Sequence, residues 1–374
     1  MRKLVTIQTI KSVEPIKGAD RIVLYKMHKV DWQVVGQKDA FKVHDKILFY
    51  EIDSLLPIRP EFEFLRKSSY KKWEGVEGFR LRTIKLKNTL SQGLITDLSV
   101  LPDETPMDDR DYSEILGVLK WEAPEIKSCS GVKYVGGGRV RTRNWPSFIS
   151  KTDETRIQTC GGVIDELWGK PFYISVKADG SSGTFYIKDG KFGVCSRNME
   201  RSWEKTKWNK FKSWVRKILD LPTPKGSEQY PDAFWHVACK YNIENALRAY
   251  GGNIAVQGEV VGPGIQDNPM GLEDHEIRLF NMFDIDNCKY LDYSKLLYFG
   301  ATNNIPGVET VTFGDSFNYT AKDLLELASK IKYPNGKPAE GIVIRPTIET
   351  YSHTLKGRLS FKAISNVYLL NEKL

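Results

Sequence analysis

Cysteine is scarce in this chain of 374 residues: Cys129, Cys160, Cys195, Cys239 and Cys288 are five, an odd number, widely spaced and without a C-x-x-C pair. That pattern excludes a zinc ribbon and a dithiol redox motif, and it reads as reduced thiols in an intracellular protein of unspecified compartment. Histidine is equally thin, with five residues at no recurring spacing, which argues against a histidine-based metal site. No stretch approaches the ~18 uninterrupted apolar residues of a membrane span. Met1-Arg2-Lys3-Leu4 lacks the apolar run of a signal peptide, so neither secretion nor a membrane partner is expected. The G-x-x-x-x-G-K-[ST] phosphate loop, the H-E-x-x-H helix and the G-x-S-x-G elbow are all missing, which removes three common catalytic designs.

What is present is an ordinary globular composition with a basic excess. Fifty-five Lys and Arg against 47 Asp and Glu leave a net charge of +8, which favours a polyanionic partner. At one domain per roughly 150 residues, the length predicts two or three domains.

From residue 4 to about 96, short apolar runs alternate with turn chemistry: Leu4 to Ile10, Arg21 to Met27, Trp32 to Val35, Lys46 to Ile52, Phe79 to Leu86 and Gly93 to Thr96. Such spacing predicts a small closed β-structure, and a five-stranded OB barrel fits its length; these barrels commonly bind single-stranded nucleic acid or oligosaccharide. Between Asp97 and Gln158 the composition turns to Pro, Gly, Ser and charge, including Gly136-Gly137-Gly138 with Arg139, Arg141 and Arg143. That stretch reads as an inter-domain connection. Beyond it, strand-like runs (172–176, 183–187, 192–196, 254–261, 277–285, 341–344, 359–364) surround a helical pattern at Trp235 to Tyr250. The expected fold is α+β: an OB-type β-barrel over 1–118, then a domain over 119–374 with mainly antiparallel sheets, of which 119–158 has linker character.

One lysine stands out. Lys177 ends an apolar strand and is followed by Ala178-Asp179-Gly180-Ser181-Ser182-Gly183, a glycine-rich turn that lets a ligand approach the backbone. A nucleophilic amine must be neutral, yet the reference pKa of about 10.4 leaves one in ~2,500 molecules neutral at pH 7. Lowering it by three units takes roughly 4 kcal/mol, which burial and a neighbouring cation can supply. Charged residues also interrupt apolar strands at Gln257-Gly258-Glu259-Val260, Ala339-Glu340-Gly341-Ile342 and Ser360-Phe361-Lys362-Ala363, and such charges are costly without partners. Phe283, in Phe280-Asn281-Met282-Phe283-Asp284, offers an aromatic face for a base.

The order Lys-x-Asp-Gly at Lys177, Ser196-Arg197-Asn198, Gly258-Glu259, Phe283-Asp284, Glu340-Gly341 and Phe361-Lys362 resembles the covalent nucleotidyltransferases, which include polynucleotide ligases and mRNA capping enzymes. Further segments sharpen the likeness: Ile16-Lys17-Gly18-Ala19-Asp20-Arg21, Glu51-Ile52-Asp53-Ser54, Ser91-Gln92-Gly93-Leu94, Lys151-Thr152-Asp153-Glu154 and Val261-Gly262-Pro263-Gly264. With these the chain resembles ATP-dependent, nick-sealing RNA ligases with an N-terminal OB domain. The resemblance implies a nucleotidyltransferase (ATP-grasp-like ligase) domain in which Lys177 takes AMP from ATP, transfers it to a 5′-phosphate end and a 3′-hydroxyl then displaces it. It implies an ATP site formed by Lys177, Asp179, Gly180, Arg197, Glu259, Phe283, Glu340 and Lys362. Phe283 would stack on adenine, Arg197 would contact ribose or phosphate, and Lys362 would hold the α-phosphate. Asp179, Glu259 and Glu340 would hold Mg²⁺ or Mn²⁺, at least partly through water. The implied partner is nicked or broken RNA-containing nucleic acid, with no obligate protein partner.

Two departures accompany the likeness. Val176 stands where many relatives carry Glu, and Lys362 lacks the second lysine of the family's final motif, leaving Lys356 or Arg358 as candidates. A further segment, 201–217, carries seven basic residues against one acidic. Its Lys205, Lys207, Lys210 and Lys212, interleaved with aromatics, suit phosphate contact. Three rival readings remain in view: an mRNA guanylyltransferase, expected to carry its OB domain after the catalytic domain; a DNA ligase, expected to need more chain after Lys362; and a non-catalytic tRNA-binding or RNA-binding OB protein.

Overall fold

The computed structural model describes residues 2–73, 75–102, 106–122, 139–204 and 230–371. The fold is α+β, an OB-like, near-closed barrel followed by a domain of antiparallel sheets. In the barrel, the 11-residue strand Val5–Pro15 has a register shift between Ile10 and Ser12. This bulge bends the strand, so its first half pairs with Lys46–Tyr50 and its second with Ile22–Met27. The five-stranded sheet runs Leu94–Thr96, Lys46–Tyr50, Val5–Pro15, Ile22–Met27, Gln33–Gln37. Its far edge is tied to the Thr89–Gln92 strand by Gln33 Nε2 donating to Leu90 O (2.9 Å) and Val35 N to Ser91 Oγ (3.0 Å). A second sheet, Leu119–Lys120, Ser54–Pro57, Val76–Arg80, Tyr70–Trp73, completes the unit. Alternate residues Val5, Ile7, Leu48, Tyr50, Leu56 and Phe79 point inward around Phe62.

The second domain is two sheets with helices on their outer sides. One, of seven strands, runs Arg139–Asn144, Met199–Glu204, Lys191–Cys195, Ser181–Lys188, Ile254–Val261, Glu276–Asp284, Lys289–Tyr290. The other runs Thr155–Arg156, Phe361–Ile364, Gly341–Pro346, Phe172–Lys177, Thr310–Gly314, with its first pair parallel. Helices Ala233–Lys240, Ile243–Tyr250 and Tyr293–Asn303 pack on Phe185, Val194, Val256 and Val260, while Val163–Leu167 and Ala321–Lys330 pack on Ile174, Ile342, Ile344 and Phe361. Each buried aliphatic or aromatic side chain contributes roughly 1.5–3 kcal/mol. Strand alternation then dictates what the opposite faces carry: Gln257 and Glu259 on one sheet, Ser175, Lys177 and Lys362 on the other.

The structure departs from the sequence reading at several elements. The helical pattern over 235–250 is two helices, broken where Asn242 adopts φ 49°, a left-handed turn that asparagine tolerates. Within the stretch of linker composition, Arg139–Asn144 is an edge strand paired residue by residue with Met199–Glu204. Between the apolar runs that end at Ile52 and begin at Phe79 lies a further strand, Tyr70–Trp73, whose side chains stay exposed or half-buried. Among the described residues no helix is long and apolar enough to cross a membrane.

Candidate active site

Lys177 is positioned by its strand. Phe172 to Val176 are buried between the Gly341–Pro346 and Thr310–Gly314 strands, and register pairs Lys177 with Gly341 and, one strand on, Gly341 with Ile364. A Cβ at position 341 would lie 2.2 Å from Ala363 O, so only glycine can follow Glu340 there. Gly180 plays the matching part after Asp179: its Cβ would meet Val260 O at 2.5 Å and Glu259 Cγ at 2.8 Å, so the turn rests directly on the Glu259 strand. Two close backbone approaches thus bring Asp179, Glu259 and Glu340, distant in sequence, to one lysine.

Lys177 Nζ donates to Glu340 Oε2 at 2.6 Å, with the side chains 23% and 16% exposed. Burial favours the neutral amine, but Glu340, Glu259 and Asp179 together hold Lys177 above the ordinary lysine pKa. The lowered pKa expected of the nucleophile is therefore found elsewhere. Burial, with the charges of Lys177 and Arg156 beside it, pushes Lys362 down to about 7. Burial, with the negative charges of Glu340 and Asp179, raises Glu259 to about 8 despite Lys177. The site thus holds an ammonium–carboxylate pair flanked by two groups that titrate near neutrality.

Residues that no motif announced hold this arrangement. The Tyr333 hydroxyl accepts from Asp179 N (2.9 Å) and Glu340 N (3.4 Å) and donates to Lys177 O (3.3 Å), so one buried phenol ties three motif residues. Tyr368 donates its hydroxyl to Asp179 Oδ2 at 2.8 Å from the C-terminal Asn366–Asn371 helix. The Lys151–Glu154 segment threads between the sheets. Thr152 Oγ meets Ser182 Oγ at 2.8 Å, Asp153 accepts from Arg197 (3.2 Å) and Lys120 (3.1 Å), and Glu154 accepts from the buried Arg345 at 2.7 Å. Arg345 also donates to Ser360 Oγ (2.8 Å), which explains a serine two positions before Lys362.

The candidates for the second cation resolve by geometry. Arg358 is committed to Glu349 and Asn281 and lies 4.0 Å over the Tyr290 ring, while Lys356 is exposed with φ 51°. The cation in register with Lys362 is Arg156, 9% exposed, which pairs with Asp53 of the barrel at 2.7 Å. Among the described residues its Nε and Nη1 are buried without a hydrogen-bond partner, an arrangement that costs about 1–3 kcal/mol per group unless an acceptor arrives. Asp53 also takes Arg2 at 3.1 Å, and Thr159 donates to Glu51 at 2.8 Å, so the Glu51-Ile52-Asp53 motif is the clasp between barrel and catalytic domain.

Phe283 shares a sheet face with Glu259 but sits further along it, opposite Ala255, where it is 2% exposed and edge-on to Tyr290 at 5.0 Å. Arg197 is beside Asp153 at the mouth, 40% exposed along its side chain. Lys205, Lys207, Lys210 and Lys212 lie outside the described residues. Three carboxylates around one lysine, with Lys362 and Arg156 behind, form a donor set suited to a divalent cation and polyphosphate: hard oxygens for the metal, cations and orphan N–H groups for phosphate oxygens.

An OB-fold domain family matches residues 4–98, and the family described as RNA ligase matches residues 170–364. No curated protein matches the sequence. Among solved structures, the Naegleria gruberi RNA ligase with PPi is 32% identical, covers 99% of this chain and 98% of its own, and superposes with a TM-score of 0.80. A variant of that ligase with AMP and Mn, and another with ATP and Mn, are each 31% identical over 98% of both chains, both with a TM-score of 0.80. This chain belongs to the RNA ligase family.

Proposed function

We propose that the protein is an ATP-dependent RNA ligase that seals 3′-hydroxyl and 5′-phosphate ends, at nicks in a duplex, through a lysyl-AMP and an adenylylated 5′ end. The observation that carries this reading is the Lys177–Glu340 pair at 2.6 Å inside a ring of carboxylates, backed by Lys362 and Arg156. In the first step Lys177 Nζ forms a bond to the α-phosphorus of ATP, the bond to the bridging oxygen breaks, and pyrophosphate leaves. AMP then passes to the 5′-phosphate, and the 3′-hydroxyl displaces it to form the phosphodiester. Covalent transfer splits one difficult substitution into easier ones.

Lys177 must lose its proton before it attacks, and Glu340, already hydrogen-bonded to it, is the nearest acceptor. Mg²⁺ or Mn²⁺, held by Asp179, Glu259 and Glu340 directly or through water, would neutralise phosphate charge and compete for the carboxylates that keep Lys177 protonated. Lys362, near pKa 7, gains its proton as phosphate comes beside it, because an opposite charge favours the ammonium. Arg156 presents its unpartnered Nε and Nη1 to phosphate oxygens, and Arg197 exchanges Asp153 for ribose or phosphate. Adenine stacks on Phe283 once the surrounding cluster of Ile149, Tyr186 and Tyr290 opens.

Incubation with α-labelled ATP and a divalent cation tests the reading. Label bound to wild type and lost in Lys177→Ala is expected; no adduct in wild type, or an adduct persisting in the variant, overturns it. Nicked duplexes differing only in ribose or deoxyribose at the 3′-hydroxyl end separate RNA ligase from DNA ligase, since the 2′-hydroxyl is the distinguishing group.

A further inference from the structure

Away from Lys177, the fold gathers His236, Asp274 and His275, and their potential ligand atoms all lie within 4.8 Å of one another. His236 comes from the Ala233–Lys240 helix, while Asp274 and His275 immediately precede the Glu276–Asp284 strand. His236 Nε2 stands 3.5 Å from Asp274 Oδ1. Zinc bonds of about 2.0–2.1 Å in tetrahedral array place ligand atoms about 3.3 Å apart, so this pair is already near the edge length of such a site. His275 is fully buried, and its Nε2 is 2.8 Å from Pro263 O. A carbonyl only accepts, so Nε2 carries the hydrogen and the lone pair is on Nδ1, the tautomer that a backbone hydrogen bond fixes in metal-binding histidines. Lys240 Nζ donates to Asp274 Oδ2 at 2.8 Å, which orients the carboxylate with Oδ1 turned to His236. Asp274 is half exposed, giving an ion a path from solvent.

We infer that His236, Asp274 and His275 form a binding site for a transition-metal dication of the zinc class, separate from the nucleotide site. Two imidazoles and one carboxylate favour zinc over magnesium, which prefers oxygen ligands. The fourth position is left for water. The bound ion would join the Ala233–Lys240 helix to the end of the 262–275 connection, and through the His275–Pro263 hydrogen bond to its start, just after the Ile254–Val261 strand that carries Glu259. Lys240 and the backbone N–H of His275 both already hydrogen-bond Asp274, and Pro263 O holds the His275 ring, so the part left to move is the His236 imidazole.

The test uses the full chain, with zinc stoichiometry after dialysis and the visible ligand-field bands of bound Co²⁺ as readouts. Because carboxylates around Lys177 also take divalent ions, the reference protein is Glu259→Gln with Glu340→Gln. That protein is expected to keep one tightly bound zinc, the Co²⁺ bands of a four-coordinate nitrogen and oxygen site, and a zinc-dependent rise in Tm. His236→Gln or Asp274→Asn in the same background is expected to weaken zinc by about a hundredfold or more, since even outer partners of metal ligands cost 10–100-fold. Both positions are partly exposed, so their replacement leaves the core intact. Absence of bound zinc in the reference protein, or bands unchanged by either substitution, overturns the inference.

Discussion

Replacing Tyr333 by Phe removes one oxygen from the centre of the candidate site and leaves the ring packed against Val176 and Ala339. That oxygen accepts two backbone N–H groups, from Asp179 and Glu340, and donates to Lys177 O. Each net hydrogen bond is worth about 0.5–1.5 kcal/mol, and each buried N–H left without an acceptor costs about 1–3 kcal/mol. With the 3.3 and 3.4 Å contacts counted at the low end, the variant should lose about 2–3 kcal/mol of stability, read as a lower urea midpoint at unchanged slope. The larger effect is positional. Tyr333 spans the end of the Lys177 strand and the start of the Glu340 strand, so its loss loosens Lys177, Asp179 and Glu340, the proposed nucleophile, metal ligand and proton acceptor, relative to one another. Misplacement by an ångström can cost about 10²-fold in rate. Single-turnover transfer of labelled AMP should therefore slow by about 10- to 100-fold, with a smaller change in the ATP concentration that half-saturates it. Stability and transfer rate both at wild-type values would refute the reasoning, because a hydroxyl with three buried contacts cannot be idle.

Further predictions concern charge. Glu259, raised to about 8, holds a proton in the folded state that the unfolded chain has already released, so it makes stability fall as pH rises from about 4.5 to 8. Lys362, lowered to about 7, releases a proton that the unfolded chain keeps, so it makes stability rise from about pH 7 to 10.5. Metal-free protein should accordingly pass through a stability minimum near pH 7 to 8, each group contributing at most about 1.4 kcal/mol per pH unit. Glu259→Gln should abolish the fall over the acid side in urea titrations, and a pH profile identical to wild type would contradict it. Arg156→Gln should slow lysyl-AMP formation and loosen barrel docking through Asp53, measured as increased protease nicking between the two units; an unchanged rate of adenylylation would remove Arg156 from phosphate contact. Replacing Lys205, Lys207, Lys210 and Lys212 by Ala should weaken nick binding and flatten its salt dependence while sparing adenylylation, and a salt slope equal to wild type would reject that surface.

Much of this protein is legible in the chain because its signals are local. Alternating apolar runs announce the barrel and both sheets, and a charge set in an apolar strand at Lys177, Glu259, Glu340 or Lys362 is conspicuous because it needs a partner. Another signal is equally local: Thr320 and Asp323 form a capping box for the Ala321–Lys330 helix, a T-x-x-D pattern visible before folding. Arg139–Asn144 is harder, since its mostly polar composition suits a solvated segment and nothing but pairing with Met199–Glu204 distinguishes it from a loop.

Tertiary structure alone decided the rest. The sequence by itself determined which residue types form the candidate site and in what order they come, because motif glycines, strand periodicity and isolated charges are written in consecutive residues. Which cation would be neutral was not written there. Burial and the company of three carboxylates keep Lys177 charged, and the same burial beside two cations lowers Lys362 instead. The partners Tyr333, Tyr368 and Arg156 have no motif, and only the packing of two sheets and a barrel brings their polar atoms to the site. His236, Asp274 and His275 meet for the same reason: spacing along the chain cannot report a distance that the fold creates.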